Sequence, residues 1–272
     1  MANEKKTRFA ILHLGSLDIP RAENVKPDPN DPDAQDLRLS LPIYAILIQH
    51  KTLGNILFDT GIALDWRQTW SDHYKKTYWF NYEYNLIERL RECGLTVEDI
   101  DKLIISHMHF DHTGNIRLFA GLKAGKAVMI SEPEARHAFY EVNAVEDGYV
   151  GAYNRREFCA IPGIKYDIQP AGDIQLADDL MLIAQTGHTP QVYGLLIKTE
   201  GSGNFILTSD GVHNHFNWGP PIQLPGLCKY PEEYKKNVER LHQMAKEYNA
   251  RVLLGHDFDN FNEFKVGPFF YE

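Results

Sequence analysis

Residues able to bind metal are concentrated at positions 106–112, which read Ser-His-Met-His-Phe-Asp-His. Three imidazoles and one carboxylate fall within six positions, directly after the apolar run at 103–105. Proteins use these nitrogen and oxygen donors to bind divalent ions such as zinc. His107 and His109 share a face while the chain stays extended, whereas Asp111 and His112 lie beyond the turn and can face a second ion. The spacing predicts a metal site; the alternative, a polar loop of surface histidines, stays open because short motifs also occur by chance.

Three further donors, His188, Asp210 and His256, each follow an apolar stretch that predicts a strand. Loops at the ends of strands, carried on a rigid sheet, are where polar groups converge on a ligand. Taken singly, each of these residues is better explained as a surface or satisfied polar position. Their repeated placement favours one site, with about as many donors as two ions require.

The motif at 106–112, the turn Asp59-Thr60-Gly61 and the three later donors resemble the metallo-β-lactamase-fold hydrolases, in the same order along the chain. Within that superfamily the chain is most similar to the N-acyl homoserine lactonases. This narrower resemblance rests on Leu-Pro-Ile-Tyr at 41–44, Thr-Gly-His-Thr-Pro at 186–190 and Gly-His-Asp-Phe at 255–258. It implies an α/β chain folded as a four-layer αββα metallo-β-lactamase sandwich.

The resemblance also assigns the metal ligands to two ions, with Asp210 bridging them. His107, His109 and His188 would hold one ion, and Asp111, His112 and His256 the other. Zinc is expected from the ligand types, although manganese, iron or cobalt accept similar donors. Asp59 would accept a hydrogen bond from one ligand histidine and fix its ring. Two such ions can share a water, lower its pKa and make it the nucleophile.

The chain departs from the lactonase pattern next to the bridging aspartate. The lactonases carry a tyrosine three residues after it, but here that position is His213. Imidazole can donate a hydrogen bond or move a proton near neutral pH, so His213 is predicted to replace the tyrosine. The lactonases also have a Gly-His pair after the Gly-His-x-Pro segment, and this chain has Gln-Val-Tyr at 191–193 instead. Tyr193 is therefore the other candidate to assist at the substrate carbonyl. The predicted catalytic residues are therefore Asp111, His213 and Tyr193.

Three classes of function remain open on this reasoning. The first is a hydrolase that opens a lactone ring, including that of an N-acyl homoserine lactone. The second is a thioesterase of the glyoxalase II kind or a phosphodiesterase, for which Lys229, Lys235 and Lys236 are the nearby basic residues. The third, a non-catalytic binding module, is disfavoured by the retention of all seven donors.

The composition fits a single domain over residues 1–272. At 272 residues and 43% hydrophobic content the chain can bury a large core. A formal net charge of -9 disfavours nucleic acids and anionic membranes as partners, because their phosphates would be repelled. The three cysteines have no metal-binding spacing, and no signal-like or membrane-length apolar run occurs, so a cytoplasmic protein is expected. The small lactone or ester substrate is what the resemblance implies.

Periodicity predicts strands and helices that would carry the site. Strands are expected at 9–14, 43–49, 55–58, 103–105, 127–130 and 251–254, and helices at 85–93, 132–140 and 231–248. Insertions are expected around 20–40, 62–84 and 139–160. Residues 23–36, rich in proline and aspartate, are predicted to cross the surface as a mobile polar excursion.

Aromatic residues are dense at 66–80 and again at 139–158. We expect residues 66–80 to form a homodimer contact, because a soluble monomer rarely exposes so many aromatic side chains together. The alternatives are a wall of the substrate pocket or plain packing onto the core. Phe216 and Trp218 are predicted to line the pocket.

Overall fold

The computed structural model describes residues 6–27 and 37–272. The strands in this part of the chain are β1 (Arg8–Pro20), β2 (Arg38–His50), β3 (Gly54–Phe58), β4 (Trp79–Tyr82), β5 (Lys102–Ile104), β6 (Val128–Ser131), β7 (Tyr149–Val150), β8 (Tyr153–Asn154), β9 (Tyr166–Gln169), β10 (Ile174–Ala177), β11 (Leu180–Gln185), β12 (Val192–Thr199), β13 (Gly203–Leu207) and β14 (Ala250–Leu253). The helices are α1 (Arg21–Asn24), α2 (Trp66–Thr69), α3 (Asp72–Thr77), α4 (Leu86–Glu92), α5 (Phe110–Thr113), α6 (Glu132–Asn143), α7 (Arg155–Phe158), α8 (His215–Trp218), α9 (Pro231–Glu247) and α10 (Phe258–Phe261). Short 3-10 turns cover Val97–Asp99, Ile116–Phe119, Ala124–Ala127 and Ser209–Gly211.

Two sheets dominate the architecture. The first has the strand order β4-β1-β2-β3-β5-β6-β9, and the second has the order β10-β11-β12-β13-β14. Pairing is antiparallel through β1, β2 and β3 and parallel from β3 to β5, β6 and β9. Strands β13 and β14 are also parallel. Because parallel neighbours cannot be joined by a hairpin, several strands of both sheets end at longer connections.

Three apolar clusters define the layers, and β2 shows how the sequence produces them. Ala45 and Leu47 point to a cluster that includes residues of α4 and α6, whereas Ile46 and Ile48 point to a cluster shared with the second sheet. On the far side of the second sheet a third cluster joins β11, β12 and β13 to α9. The order is therefore helix, sheet, sheet, helix, and the predicted four-layer αββα sandwich is confirmed.

Most predicted elements are present with shifted ends. Strands β1 and β2 are longer than predicted because they pair over almost their whole length, through a register shift between His13 and Gly15. Gly15 has φ of +152°, and a Cβ there would lie 2.2 Å from the carbonyl oxygen of Asn81 on β4. Helix α4 begins at a capping box formed by Asn85 and Glu88, as the predicted helix at 85–93 requires.

The aromatic segment at 66–80 packs onto the chain's own core instead of forming a broad exposed face. Trp70 and Tyr74 are buried, and their rings lie 4.9 and 5.2 Å from the ring of Phe110. Trp79, 56% exposed, is the large exception in this segment. Burial of these aromatics removes most of the exposed surface on which the expected homodimer contact depended.

The other two insertions also approach the core. Residues 139–160 include the β7–β8 hairpin, and Tyr153 on β8 pairs with His109 of the metal motif. The predicted polar excursion begins at Glu23, which the structure places in α1 and half-buried, so that part of the prediction is wrong. Residues 28–36 lie outside the described residues. Among the described residues, no helix combines the length and apolar content needed to cross a lipid bilayer.

Candidate metal centre

The seven predicted metal ligands lie together where strands of both sheets end. His107, His109, Asp111 and His112 follow β5, and His188 lies in the loop between β11 and β12. Asp210 lies in the 3-10 turn after β13, and His256 follows β14. All seven side chains are buried, with at most 8% of any residue exposed. The two sheets therefore deliver donors from distant parts of the sequence to one place.

The donors fall into two groups of metal-binding size. His107, His109, His188 and Asp210 each offer a ligand atom within 4.8 Å of the others, and Asp111, His112 and His256 form a second such group. This division is the one that the resemblance implied.

Asp210 faces both groups, one carboxylate oxygen to each. Its Oδ2 lies 3.6 Å from Nε2 of His107 and 3.3 Å from Nε2 of His188. Its Oδ1 lies 3.3 Å from Nε2 of His112 and 3.0 Å from Nε2 of His256. A carboxylate shared in this way is what a site for two neighbouring ions requires.

Hydrogen bonds on the opposite ring nitrogens hold four of the histidines with Nε2 directed inward. Nδ1 of His188 lies 2.9 Å from the Leu227 carbonyl, and Nδ1 of His256 lies 3.1 Å from the Pro42 carbonyl. Nδ1 of His107 lies 3.1 Å from the Ser106 hydroxyl. An outer acceptor fixes both the tautomer and the ring orientation of a metal-ligating histidine.

The fourth, His112, has the strongest of these outer partners, Asp59. The Oδ2 atom of Asp59 lies 2.8 Å from Nδ1 of His112, and its Oδ1 accepts the backbone N–H of Ser106 at 2.7 Å. Asp59 holds this position in the left-handed backbone region, at φ of +63°. The predicted role of Asp59 as an acceptor for a ligand histidine is thus confirmed.

His109 is oriented differently, by the insertion at 139–160. Its Nδ1 lies 3.1 Å from Nε2 of His188, and its ring meets the ring of Tyr153 edge to face at 4.5 Å. The Tyr153 hydroxyl and the backbone N–H of Met108 both donate to one oxygen of Glu134, which is fully buried. Sequence reasoning missed Glu134 because it reads as an ordinary polar position near the start of α6.

Burial and charge divide the histidines into two electrostatic classes. Burial holds the pKa of His107, His109 and His188 below the ordinary value, so these rings are neutral and free to ligate at pH 7. Burial also opposes the charged form of His112, but the carboxylates of Asp111 and Asp59 outweigh it and raise the pKa of His112. Burial likewise opposes ionisation of Asp210, but His256 and His112 outweigh it and lower the pKa of Asp210.

Several inward-facing atoms have no hydrogen-bond partner among the described residues. They are Nε2 of His107, His112 and His256, and Oδ1 of Asp210. Buried polar atoms are rarely left in this state, since each costs the free energy of its lost hydration. The unpaired atoms all point into the two donor groups, so the residues present fit two divalent ions.

A narrow cavity opens over the donor groups and continues into a larger one. Its walls include His109, Asp111, His188, Asp210, His213 and His256, together with apolar side chains of β1 and β2. The adjoining cavity, of about 310 Å³, shares His109, Ala152, His188 and Leu227 with the first. A substrate can therefore lie with one end at the donors and the rest in the wider space.

The structure separates the two residues that were candidates to assist at the carbonyl. His213 is 2% exposed, lines the narrow cavity and has its Nε2 3.4 Å from Oδ2 of Asp210. Tyr193 is fully buried in the cluster between the sheets and does not line this cavity. The catalytic role predicted for Tyr193 is therefore not supported by the structure.

The predicted pocket aromatics and basic anchors lie mainly elsewhere. Phe216 lines a different cavity, of about 130 Å³ beside His256, whereas Trp218 packs against the cluster under α9. Two of the lysines pair with glutamates on α9, Lys235 with Glu232 and Lys236 with Glu233. The third, Lys229, lines the larger cavity but is held beside His137 and Glu141. A phosphate-binding cluster of lysines is therefore not present among the described residues.

Comparison with known proteins places this arrangement in a family. The model of the metallo-beta-lactamase superfamily matches residues 40–256, a span that includes all seven donors. The chain belongs to the metallo-beta-lactamase superfamily. It is a metal-dependent hydrolase, and its two donor groups offer the ligands that two divalent ions would need.

Similar proteins within the superfamily carry lactonase names. The chain is 27% identical over 268 residues to N-acyl homoserine lactonase AiiB of Agrobacterium fabrum, covering 93% of this chain and 95% of that protein. It is 27% identical over 281 residues to N-acyl homoserine lactonase AttM of Azorhizobium caulinodans, covering 97% and 98%. The crystal structure of a Bacillus thuringiensis AiiA mutant with N-decanoyl-L-homoserine bound at the active site matches the fold at a TM-score of 0.79, with 21% identity and coverage of 98% and 100%.

Proposed function

We propose that this hydrolase opens lactone rings, with N-acyl homoserine lactones as the substrate class. The observation that carries the proposal is the shared carboxylate of Asp210 between two buried donor groups, at the floor of a cavity that widens outward. The lactonase names of relatives that match almost the whole chain support the choice of substrate. A thioesterase or phosphodiesterase is not favoured, because no free basic cluster lies at the cavity among the described residues.

When bound, two divalent ions would activate a water as the nucleophile and polarise the ester carbonyl, and zinc is the ion we expect from the ligand types. His107, His109 and His188 would hold one ion. Asp111, His112 and His256 would hold the other, with the Asp210 carboxylate between them. Asp59 keeps the proton of His112 on Nδ1, so that Nε2 of His112 stays free to ligate.

The remaining chemical role belongs to His213. Ring opening leaves an alkoxide that must gain a proton, and an imidazole beside the cavity can donate one or stabilise the charge through a hydrogen bond. His213 lines the narrow cavity on the side of Oδ2 of Asp210. We assign it to the carbonyl oxygen or the leaving oxygen, the place that the lactonase tyrosine would take.

A panel of lactones, thioesters and phosphodiesters, assayed with protein carrying two ions per chain, tests the function. We expect lactones to give the highest kcat/KM; a thioester or phosphodiester that exceeded every lactone would overturn the proposal.

His213→Phe tests the role of the imidazole. It should lower lactone turnover at least about tenfold at unchanged metal content, the size of a lost transition-state hydrogen bond. His215→Phe is the matched control, since that exposed ring pairs with Asp257 and does not line the narrow cavity. Turnover within about twofold for His213→Phe, with a crippled His215→Phe, would move the role to His215.

A cytoplasmic location and a homodimer stay predictions from the sequence. Trp79, 56% exposed, is the part of the aromatic segment still available for a dimer contact.

A further inference from the structure

An acidic side chain, Glu23, shares the narrow cavity with the metal ligands but belongs to neither donor group. It lies on α1, and its side chain lines the cavity together with Asp111, Asp210 and His256. Burial, and to a smaller extent the negative charge of Asp111, raise the pKa of Glu23 to about 7, while the Tyr78 hydrogen bond and the charge of Arg38 oppose this rise. The carboxyl group therefore faces the same space that a substrate must enter.

Apolar side chains and one phenol line the cavity with Glu23, in addition to the polar metal ligands. Leu17, Ile19 and Leu41 line the same cavity. The Tyr78 hydroxyl lies 3.1 Å from one oxygen of Glu23 and 3.3 Å from the other, so a single donor is shared between them. A carboxyl group in such a wall loses hydration, and this loss must be offset by hydrogen bonds.

Tyr78 leaves most of the acceptor capacity of Glu23 unused. A carboxylate can accept about four hydrogen bonds. Among the described residues, no lysine, arginine or histidine lies within 4 Å of this carboxylate, so no ion pair satisfies it. The remaining lone pairs are available to a donor that enters the cavity.

We propose that Glu23, held by Tyr78, is the residue that recognises an amide N–H on the substrate. The assignment rests on the proposed lactonase function, which places the ester carbonyl at the donor groups. In an N-acyl homoserine lactone the amide nitrogen is bonded to the carbon next to that carbonyl, so its N–H lies close to the reacting group. A carboxylate that lines the same cavity can meet this N–H, while the acyl chain extends into the adjoining cavity of about 310 Å³.

The selectivity that follows is for the exocyclic amide over the equivalent ester. A lactone whose exocyclic N–H is replaced by oxygen has nearly the same shape but presents lone pairs to the Glu23 carboxylate. Hydrogen bonds to charged groups contribute enough for about tenfold to a hundredfold discrimination. We expect this preference for the amide in kcat/KM, mainly through KM, because the N–H is present in both the ground state and the transition state.

The test compares these two lactones at pH 8, above the pKa of Glu23 at about 7, in the wild type and in Glu23→Leu, Tyr78→Phe and Glu98→Leu, all at two ions per chain. Glu23→Leu should bring the amide-to-ester ratio within about twofold of one. Tyr78→Phe removes the hydroxyl but keeps the carboxylate, so it should retain most of the preference. Glu98→Leu changes an exposed glutamate on the Val97–Asp99 turn and should retain all of it.

A binding measurement gives a readout without turnover. Lactam analogues of the two lactones resist ring opening, and their Kd values by calorimetry should show the same preference and the same loss in Glu23→Leu. An unchanged ratio in Glu23→Leu, in either measurement, would overturn the assignment. If Glu23→Leu and Tyr78→Phe each weakened the reaction or the binding equally for both compounds, the Glu23–Tyr78 pair would have only a structural role. That result would also overturn the assignment. A wild type that opens neither lactone would instead refute the proposed function on which the assignment rests.

Discussion

Asp59→Asn is the substitution that most directly tests how the outer hydrogen bonds control metal binding. Asparagine has nearly the same shape, and it tolerates the left-handed backbone that Asp59 adopts at φ of +63°. The carboxylate now satisfies two neighbours, Nδ1 of His112 at 2.8 Å and the N–H of Ser106 at 2.7 Å. The amide supplies one oxygen and one NH₂ group, so it can accept from only one of them.

The buried backbone N–H of Ser106 requires the oxygen, which turns the NH₂ group toward His112. Nδ1 of His112 must then accept, and its ring proton moves to Nε2, the atom that faces Asp111 and Asp210. A protonated Nε2 cannot ligate a metal ion. Loss of such an outer partner lowers metal affinity about tenfold to a hundredfold, which is about 1.4 to 2.7 kcal/mol. The loss of metal affinity should be confined to the donor group that contains His112, and the group that contains His107 should keep its affinity.

Chelator competition followed by metal analysis measures this difference. The wild type should release two ions per chain over a narrow range of chelator concentration, whereas Asp59→Asn should release one of them about tenfold to a hundredfold more easily. Asp179→Asn is the matched control, because it weakens a pair of the same kind, with His50 at 2.9 Å, away from the metal centre. Unchanged affinity for both ions in Asp59→Asn would refute the tautomer argument, and equal weakening of both would show that the two groups act as one.

Three further outcomes are expected. Asp210→Asn should reduce the metal content of folded protein below two ions per chain, as measured by metal analysis with circular dichroism as the check on folding; two tightly held ions would remove the bridging role. Burial raises the pKa of Glu157 from 4.5 to about 8, so its protonated form stabilises the fold below pH 4.5 and this contribution is lost as the pH rises to 8. Glu157→Gln should therefore raise the free energy of unfolding in urea by up to about 4 kcal/mol at pH 8 and change it little at pH 4.5; an equal change at both pH values would contradict this. Light scattering at micromolar concentration should give a dimer, and Trp79→Ser a monomer; a monomeric wild type would end the dimer prediction.

The metal ligands could be predicted from the sequence because their signal is local. His107, His109, Asp111 and His112 lie in one short motif after a buried strand, and their residue types restrict the chemistry. The layers were also predictable in outline, since α4 begins at a capping box and α9 has a proline in its first turn and a periodic apolar face. The single-domain organisation over 1–272 stays a prediction.

The parts that could not be predicted depend on contacts between distant segments. Glu23 lines the metal cavity because tertiary folding brings α1 beside it, and nothing in the neighbouring sequence marks that placement. Tyr193 has a reactive side chain close to a motif residue in sequence, but strand alternation turns it into the layer between the sheets. The composition of residues 66–80 is compatible with an exposed aromatic face as well as with core packing. In the structure, tertiary packing buries most of these aromatic side chains.

The order of the donors along the chain has a consequence for the protein during its synthesis. The motif at 107–112 emerges from the ribosome well before His256, which follows the last strand of the second sheet and completes the second donor group. Until that strand has joined the others, the early histidines and carboxylates lack the partners that orient them and that exclude water. A nascent chain can therefore offer a divalent ion only a partial and solvated set of ligands. Capture of both ions must be a late event, coupled to closure of the second sheet on the first, and so metal supply acts on the final step of folding.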